Sequence, residues 1–266
     1  MSLLIFEDKL VSQLTPITLA RAACCITAGS YDLIGLLQSL DTRLVAWLRP
    51  HLRGLAAFDY PQLQQVDDAA LPTDGGPQLV LNARVTPSAA NLRTIQRMLA
   101  EPSEPAGIVW SGDQVAAVLR PNWRWPMIQS ADETGIESLL LTAHGLPKLD
   151  YQLQVMSYPH EVIAANMQTF SDNLEHRLAT NEYRQLQDGV FVAGGAKLGQ
   201  FVLTETDTGP IVIDQHASVG PYTLLRGPIY IGPKARILEH AAIKDAVSLG
   251  HTTKIGGEVE ASVVEA

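Results

Sequence analysis

The sequence predicts a layered α/β domain followed by a parallel β-helix, with one long helix bridging them. Three observations carry this. Residues 1–157 alternate short apolar runs with amphipathic segments, the grammar of an α/β layer structure. A helix with a sharp start opens the bridge at residues 158–187. Residues 188–266 follow neither the helical nor the strand period and place aliphatic residues six apart.

In chain order, Leu3-Leu4-Ile5-Phe6 is an apolar run suited to a buried strand. Ser30-Tyr31-Asp32 through Leu37 reads as a capped amphipathic helix. Gln78–Asn82 reads as a second buried strand, and Ser88 caps a helix with apolar residues at Leu92, Ile95 and Leu99. Gly107–Trp110 and Gln114–Leu119 around Ser111-Gly112-Asp113 read as a hairpin. Pro159 suits the first turn of the bridging helix, whose apolar stripe is Val162, Ile163, Met167, Phe170, Leu174 and Leu178.

The repeat comprises Ile213, Val219, Leu225, Ile231, Ile237, Ile243, Leu249 and Ile255, with Gly following at 220, 232, 250 and 256. Six residues make one flat face and 18 make one triangular coil, so Ile213, Ile231 and Leu249 are expected to stack, as are Val219, Ile237 and Ile255, and Leu225 with Ile243. The glycines are expected to let the backbone turn without a Cβ clash. A partial match at Val192 and Leu198 is interrupted by an insertion from Thr204 to Pro210. Ile229, Val247 and Val259 are read as outward positions.

Composition narrows the functional classes. Apolar residues make up 46% and charged residues 18%, which allows a large core and argues against global disorder. The net charge of −9 and the lack of Lys/Arg clusters exclude a broad nucleic-acid surface. No run of about 18 apolar residues exists to cross a membrane. Glu7 and Asp8 fall where a signal peptide is hydrophobic, so a cytoplasmic protein is expected. Cys24 and Cys25 are neighbours, too close for an ordinary disulfide, and read as small core residues.

The hexapeptide pattern resembles the left-handed parallel β-helix of bacterial acyltransferases and of two-domain sugar nucleotidyltransferases. Gly227-Pro228-Ile229-Tyr230-Ile231-Gly232 and Lys254-Ile255-Gly256-Gly257-Glu258-Val259 resemble stretches of the GlmU-like family, similar to the bifunctional enzyme that makes UDP-N-acetylglucosamine. The same family has segments like Phe6-Glu7-Asp8 with Leu14–Arg21, like Leu81–Pro87, and like Tyr158-Pro159-His160-Glu161 through Asn166, usually with Trp in place of His160. The resemblance implies a Rossmann-like nucleotidyltransferase domain that uses nucleotide and sugar 1-phosphate, with Mg²⁺ as cofactor.

Two departures qualify it. The family continues into a Ser-Asn-Lys and His-Asp stretch resembling an acetyltransferase site, and this sequence ends at Ala266 before any such stretch. Ordinary nucleotidyltransferases also carry a Gly-rich loop after the first strand and a metal-holding Gly-Asp pair after the central strand. Here the first strand runs into Glu7-Asp8-Lys9, and the pair is Ala83-Arg84. Arg cannot be a metal ligand.

Most candidate residues follow from the expected carboxyl edge of the sheet, where open α/β sheets bind ligands; Arg21 rests mainly on the resemblance, and Asn166, on the bridging helix, comes from the family-like segment there. Arg21 is the candidate catalytic, phosphate-binding group. Asn82, Arg84 and Asn166 are candidates for substrate binding, and Glu7 and Asp8 for Mg²⁺. His160, His240 and His251 are read as structural or surface residues. Three functional readings result: transfer of a nucleotidyl group to a sugar 1-phosphate, non-catalytic nucleotide-sugar binding or scaffolding, and acetyl-CoA-dependent acyl transfer. Association as a homotrimer through the β-helix is expected, motivated by the resemblance and by the outward stripe.

Overall fold

The computed structural model describes residues 2–66, 78–100, 106–120 and 133–265. They form two compact units. The first comprises Met1–Ile26 and Asp32–Glu161, the second Thr27–Tyr31 and Val162–Ala266.

In the first unit, six strands form one sheet: β1 (Ser2–Phe6), β2 (Arg43–Trp47), β3 (Gln64–Gln65), β4 (Leu79–Asn82), β5 (Gly107–Ser111) and β6 (Gln114–Leu119). Their order is β3-β2-β1-β4-β6-β5. The strands β1 to β4 pair in parallel, whereas β6 is antiparallel to both β4 and β5. Leu3 to Phe6 and Leu79 to Leu81 are wholly buried, as continuous apolar strands covered on both faces must be. Leu4, Phe6, Val45, Val80, Ile108 and Val118 share a core with Ile136 and Leu139. Each buried aliphatic or aromatic side chain contributes roughly 1.5–3 kcal/mol.

The helices of this unit are short: α1 (Leu33–Leu37), α2 (Arg53–Asp59), α3 (Ala89–Ala100) and α4 (Glu133–Ala143). Helix α3 begins as the sequence predicts, with the Asn91 N–H donating to Ser88 Oγ at 3.1 Å, and it buries Leu92 and Ile95. The helix expected from Ser30 is shorter than its sequence pattern. Asp32 is the cap, its Oδ1 accepting from the Gly35 N–H at 2.6 Å, and Ser30 turns at φ 76°. Residues 27–31 instead belong to the second unit.

The second unit contains most of α5 (Pro159–Thr180) and the coil. Helix α5 buries Val162, Phe170 and Leu174 but leaves Ile163 and Met167 half exposed, so its buried face is not the simple apolar stripe. Asn166 and Asn173 complete that face. Asn173 Nδ2 donates to the Ala28 carbonyl at 3.3 Å, clipping the loop 27–31 onto the helix. Gly29 is required there: it turns at φ +59°, and a Cβ would lie 2.3 Å from Thr169 Oγ1.

The repeat is a left-handed parallel β-helix built of stacked parallel sheets. The predicted stacks form: Ile213 pairs with Ile231 and Ile231 with Leu249, Val219 with Ile237 and Ile237 with Ile255, and Leu225 with Ile243. The first coil is longer, pairing Val192 with Ile213, because the insertion falls after Glu205. The last coil is shorter: Ile243 pairs with Val259 and Leu249 with Val264, so Ala261 is not the next stacked residue.

Two expectations are corrected. Ile229 and Val247 are wholly buried, not outward. Each three-residue strand alternates, so Ile229 and Ile231 both enter the core while Tyr230 points away from it. The apolar stripe offered for trimer formation therefore does not exist at these residues. The repeat glycines also act differently. The left-handed corners are taken by His216, Tyr222, Lys234, His240 and Thr252. Gly232 serves close approach between coils, since a Cβ there would lie 2.6 Å from the Leu249 carbonyl oxygen.

Candidate functional site

The chain leaves β1 toward β2 on one side of the sheet, and β4 lies on the other. The carboxyl ends of β1 and β4 therefore flank a topological switch point, where the loops separate and leave a crevice. Glu7 and Asp8 follow β1, Asn82 ends β4, and Arg84 lies two residues beyond.

Asp8 and Arg84 meet at this edge. Arg84 Nε donates to Asp8 Oδ1 at 3.0 Å and Nη2 to Oδ2 at 2.7 Å. Nη1 donates to the Met156 carbonyl at 3.1 Å and to Ser157 Oγ at 3.4 Å. Asn82 locks the pair: its Nδ2 donates to Asp8 Oδ2 at 2.8 Å and its Oδ1 accepts the Arg84 N–H at 3.0 Å. The guanidinium is wholly buried, and paired hydrogen bonds compensate its desolvation.

A second pair lies on the β2 side. Glu7 accepts on Oε2 from Arg49 N–H and Nε, both at 3.0 Å. Its Oε1 accepts from Arg49 Nη2 at 3.2 Å and from the Ala23 N–H at 2.9 Å. Arg49 Nη2 also donates to the Arg21 carbonyl at 3.1 Å, so this pair positions the backbone of Arg21. Arg49 lies next to the end of β2, and sequence reasoning missed it. The Leu48-Arg49-Pro50 strand end was the available signal.

The edge thus gathers Glu7, Asp8, Asn82, Arg84 and the Arg21 backbone. Asn166 belongs to the second unit. There Oδ1 accepts the Gly29 N–H at 2.9 Å and Nδ2 donates to the Ala246 carbonyl at 3.1 Å. Both ends of that amide bond to backbone of the second unit. Arg84 and Asn82 likewise bond to Asp8 and to backbone groups.

The acids do not form a Mg²⁺ site as arranged. Mg²⁺ needs oxygen ligands in near-octahedral geometry. All four carboxylate oxygens of Glu7 and Asp8 already accept from nitrogen donors. Among the described residues, no group of three or more His, Cys, Asp or Glu is placed to hold a metal.

Beside the edge lies a cleft of about 280 Å³. Glu7, Asp8 and Gln114 line it together with Trp110 and with Leu140 of α4. Gln114 also exchanges hydrogen bonds with Ser157, which ties the cleft wall to the Arg84 network.

Elsewhere in the first unit, Cys24 is buried and its thiol is held well above its ordinary value, first by its hydrogen bond with Cys25 and then by burial. That suits an unreactive core residue. In the second unit the Arg177 guanidinium lies 4.0 Å from the Tyr31 ring centroid and 4.1 Å from that of Tyr230. Tyr183 and Tyr230 both donate to Asp214 Oδ2, at 3.0 and 2.8 Å. No helix among the described residues is long and apolar enough to cross a membrane.

A search of curated proteins gives no match. A family model described as "Sugar nucleotidyl transferase" matches residues 3–181, about two thirds of the chain, and spans the sheet, both ion pairs and α5. The chain belongs to the sugar nucleotidyl transferase family.

Proposed function

We propose that this chain is a sugar-1-phosphate nucleotidyltransferase whose nucleotide sugar is of the UDP-N-acetylglucosamine type, with the ligand lying over the carboxyl ends of β1 and β4. The observation that carries this is the switch-point crevice with its adjoining cleft, inside the segment that matches the family. In the reaction, a sugar-phosphate oxygen bonds to the α-phosphorus of the nucleoside triphosphate, and the bond to pyrophosphate breaks. Such transfer depends on positioning and on positive charge near the phosphates. Arg21 is the residue we assign to phosphate, because Arg49 fixes its backbone in the loop that follows β1. Asp8, Asn82 and Arg84 are positioning residues beneath the crevice. No step is assigned to a protein-held Mg²⁺, since Glu7 and Asp8 are committed to arginines.

That commitment favours a second reading, in which the edge binds a nucleotide sugar without turnover. One experiment separates the two. The protein is mixed with UTP and N-acetylglucosamine 1-phosphate, with and without Mg²⁺, and pyrophosphate is measured. UDP-N-acetylglucosamine binding is measured in parallel by calorimetry. Pyrophosphate release supports the transferase, binding without release supports the second reading, and neither across a panel of nucleotides and sugar phosphates rejects both.

A further inference from the structure

The β-helix assembles a row of cations that the sequence disperses. In one of its sheets Lys197 pairs with Ser218, Ser218 with Arg236, and Arg236 with Lys254. The next residue of each strand, from Leu198 to Ile255, packs on the core of the coil, so strand alternation turns Lys197, Arg236 and Lys254 outward. All three are exposed, as is Lys234 at the left-handed corner two residues before Arg236. Paired strands lie about 4.8 Å apart, so the row runs roughly 14 Å along the coil axis. Several acids of this unit are committed elsewhere: Glu205 to Arg226, Glu258 and Glu260 to Lys244, and Asp214 to Arg177. Among the described residues, none of the four cations takes part in an ion pair. The corner that ends this face carries an apolar edge. Phe201, Tyr222 and His240 all turn left-handed there and stack, with ring centroids 5.1 and 5.3 Å apart and planes within 15° and 6°. Phe201 is 71% exposed, and Leu203, two residues on, is 60% exposed.

A row of unpaired cations beside an exposed aromatic edge selects its partner by charge and by shape. A second copy of this chain is a poor fit, because the acids on the neighbouring sheet of the coil are already paired with Arg226 and Lys244. A single nucleic-acid strand needs aromatic faces on which its bases stack, and here the rings cover one another. Its phosphates would also extend beyond the row onto a chain of net charge −9. An anionic bilayer would press on the whole face, including the exposed carboxylate of Glu239 next to His240. An extended peptide running along the coil axis meets none of these objections. Its alternate side chains point to opposite sides, so acids can face the row while apolar residues face the aromatic corner. We propose that this face of the β-helix binds an extended acidic segment of another protein, with large apolar side chains alternating with its acids. The cations supply attraction and register, and Phe201, Tyr222 and Leu203 supply the apolar anchor.

The test is fluorescence anisotropy of the full chain with a fluorescein-labelled peptide of alternating Glu and Leu. A Lys-Leu peptide, a Glu-Ser peptide, a short oligothymidine and vesicles of phosphatidylglycerol and phosphatidylcholine are compared with it. The Glu-Leu peptide should bind saturably and weaken several-fold as salt rises from about 50 to about 200 mM, because exposed charges are screened. The Lys-Leu peptide should not bind, and the Glu-Ser peptide should bind about tenfold more weakly. Arg236→Glu and Lys254→Glu should each weaken Glu-Leu binding about tenfold or more. Arg93→Glu, the same change of charge at an exposed position of α3 in the first unit, should leave it unchanged. Phe201→Asn, a residue type that accepts the left-handed backbone, should reduce binding to the level of the Glu-Ser peptide. The melting midpoint of each variant is measured beside wild type, so that lost binding is not misread as lost fold. No saturable binding of the Glu-Leu peptide overturns the proposal, as do equal affinities for the Arg236→Glu and Arg93→Glu proteins. Tighter binding of oligothymidine or of vesicles than of the peptide also overturns it and assigns the face to a nucleic-acid strand or to a membrane.

Discussion

Arg84 and Asp8 form a two-armed ion pair at the carboxyl ends of β4 and β1, with the guanidinium wholly buried and the carboxylate nearly so. Breaking such a pair leaves an uncompensated buried charge, which costs roughly 3–5 kcal/mol. Arg84→Ala and Asp8→Asn are each expected to lower the unfolding free energy by about that amount. Because the two residues act as one unit, Asp8→Asn combined with Arg84→Ala should cost less than the sum of the single changes. Denaturant unfolding of the four proteins checks this, and additive costs would show the pair to be uncoupled.

Gly232 tests the packing between coils. A Cβ at this residue would approach the Leu249 carbonyl oxygen to 2.6 Å, and backbone cannot step aside as a side chain can. Gly232→Ala is expected to destabilise the β-helix by about 1–3 kcal/mol, the usual cost of overpacking. Gly112→Ala is the useful contrast, since it meets no atom within 4 Å and suffers only from its φ of +62°, a cost of roughly 1–2 kcal/mol. Equal midpoints for wild type and Gly232→Ala would contradict the close coil contact.

The tyrosines around Arg177 predict an alkaline limit. Burial, the largest cause, holds the Tyr230 and Tyr183 phenols above their ordinary value, with Arg177 opposing and Asp214 adding to the rise. A raised folded pKa favours the protonated form in the fold. The stability it contributes is therefore intact below about pH 10, the unfolded value, and is lost as pH rises toward the higher folded values. Denaturation midpoints between pH 8 and 11 should fall above pH 10, and Tyr183→Phe should flatten that fall. A midpoint that rises over this range would refute it.

Much of this fold is legible in the sequence because its signals are local. The stacking of Ile213 on Ile231 follows from spacing alone, and Leu3 to Phe6 announce a buried strand by their run. What a period of six conceals is the second inward position of each face, so Ile229 and Val247 read as outward until the strand alternation is seen. The start of α1 was obscured because the loop 27–31 is claimed by Asn166 and Asn173, far along the chain on α5. Of the residues gathered at the edge, Glu7, Asp8, Asn82 and Arg84 could be read from the sequence, whereas Arg49 and the partnerships could not. Asp8 and Arg84 are 76 residues apart and Glu7 and Arg49 are 42 apart, and no local pattern encodes which acid finds which arginine.

The claim that the nucleotide sugar lies over the carboxyl ends of β1 and β4 is tested most directly by amide hydrogen exchange of the whole chain, with and without saturating UDP-N-acetylglucosamine. Slowed exchange should concentrate in residues 7–22 and 82–86, the loops that leave β1 and β4, with the β-helix coils unchanged. Protection confined to residues 188–265, with those two loops exchanging as in the free protein, would contradict it.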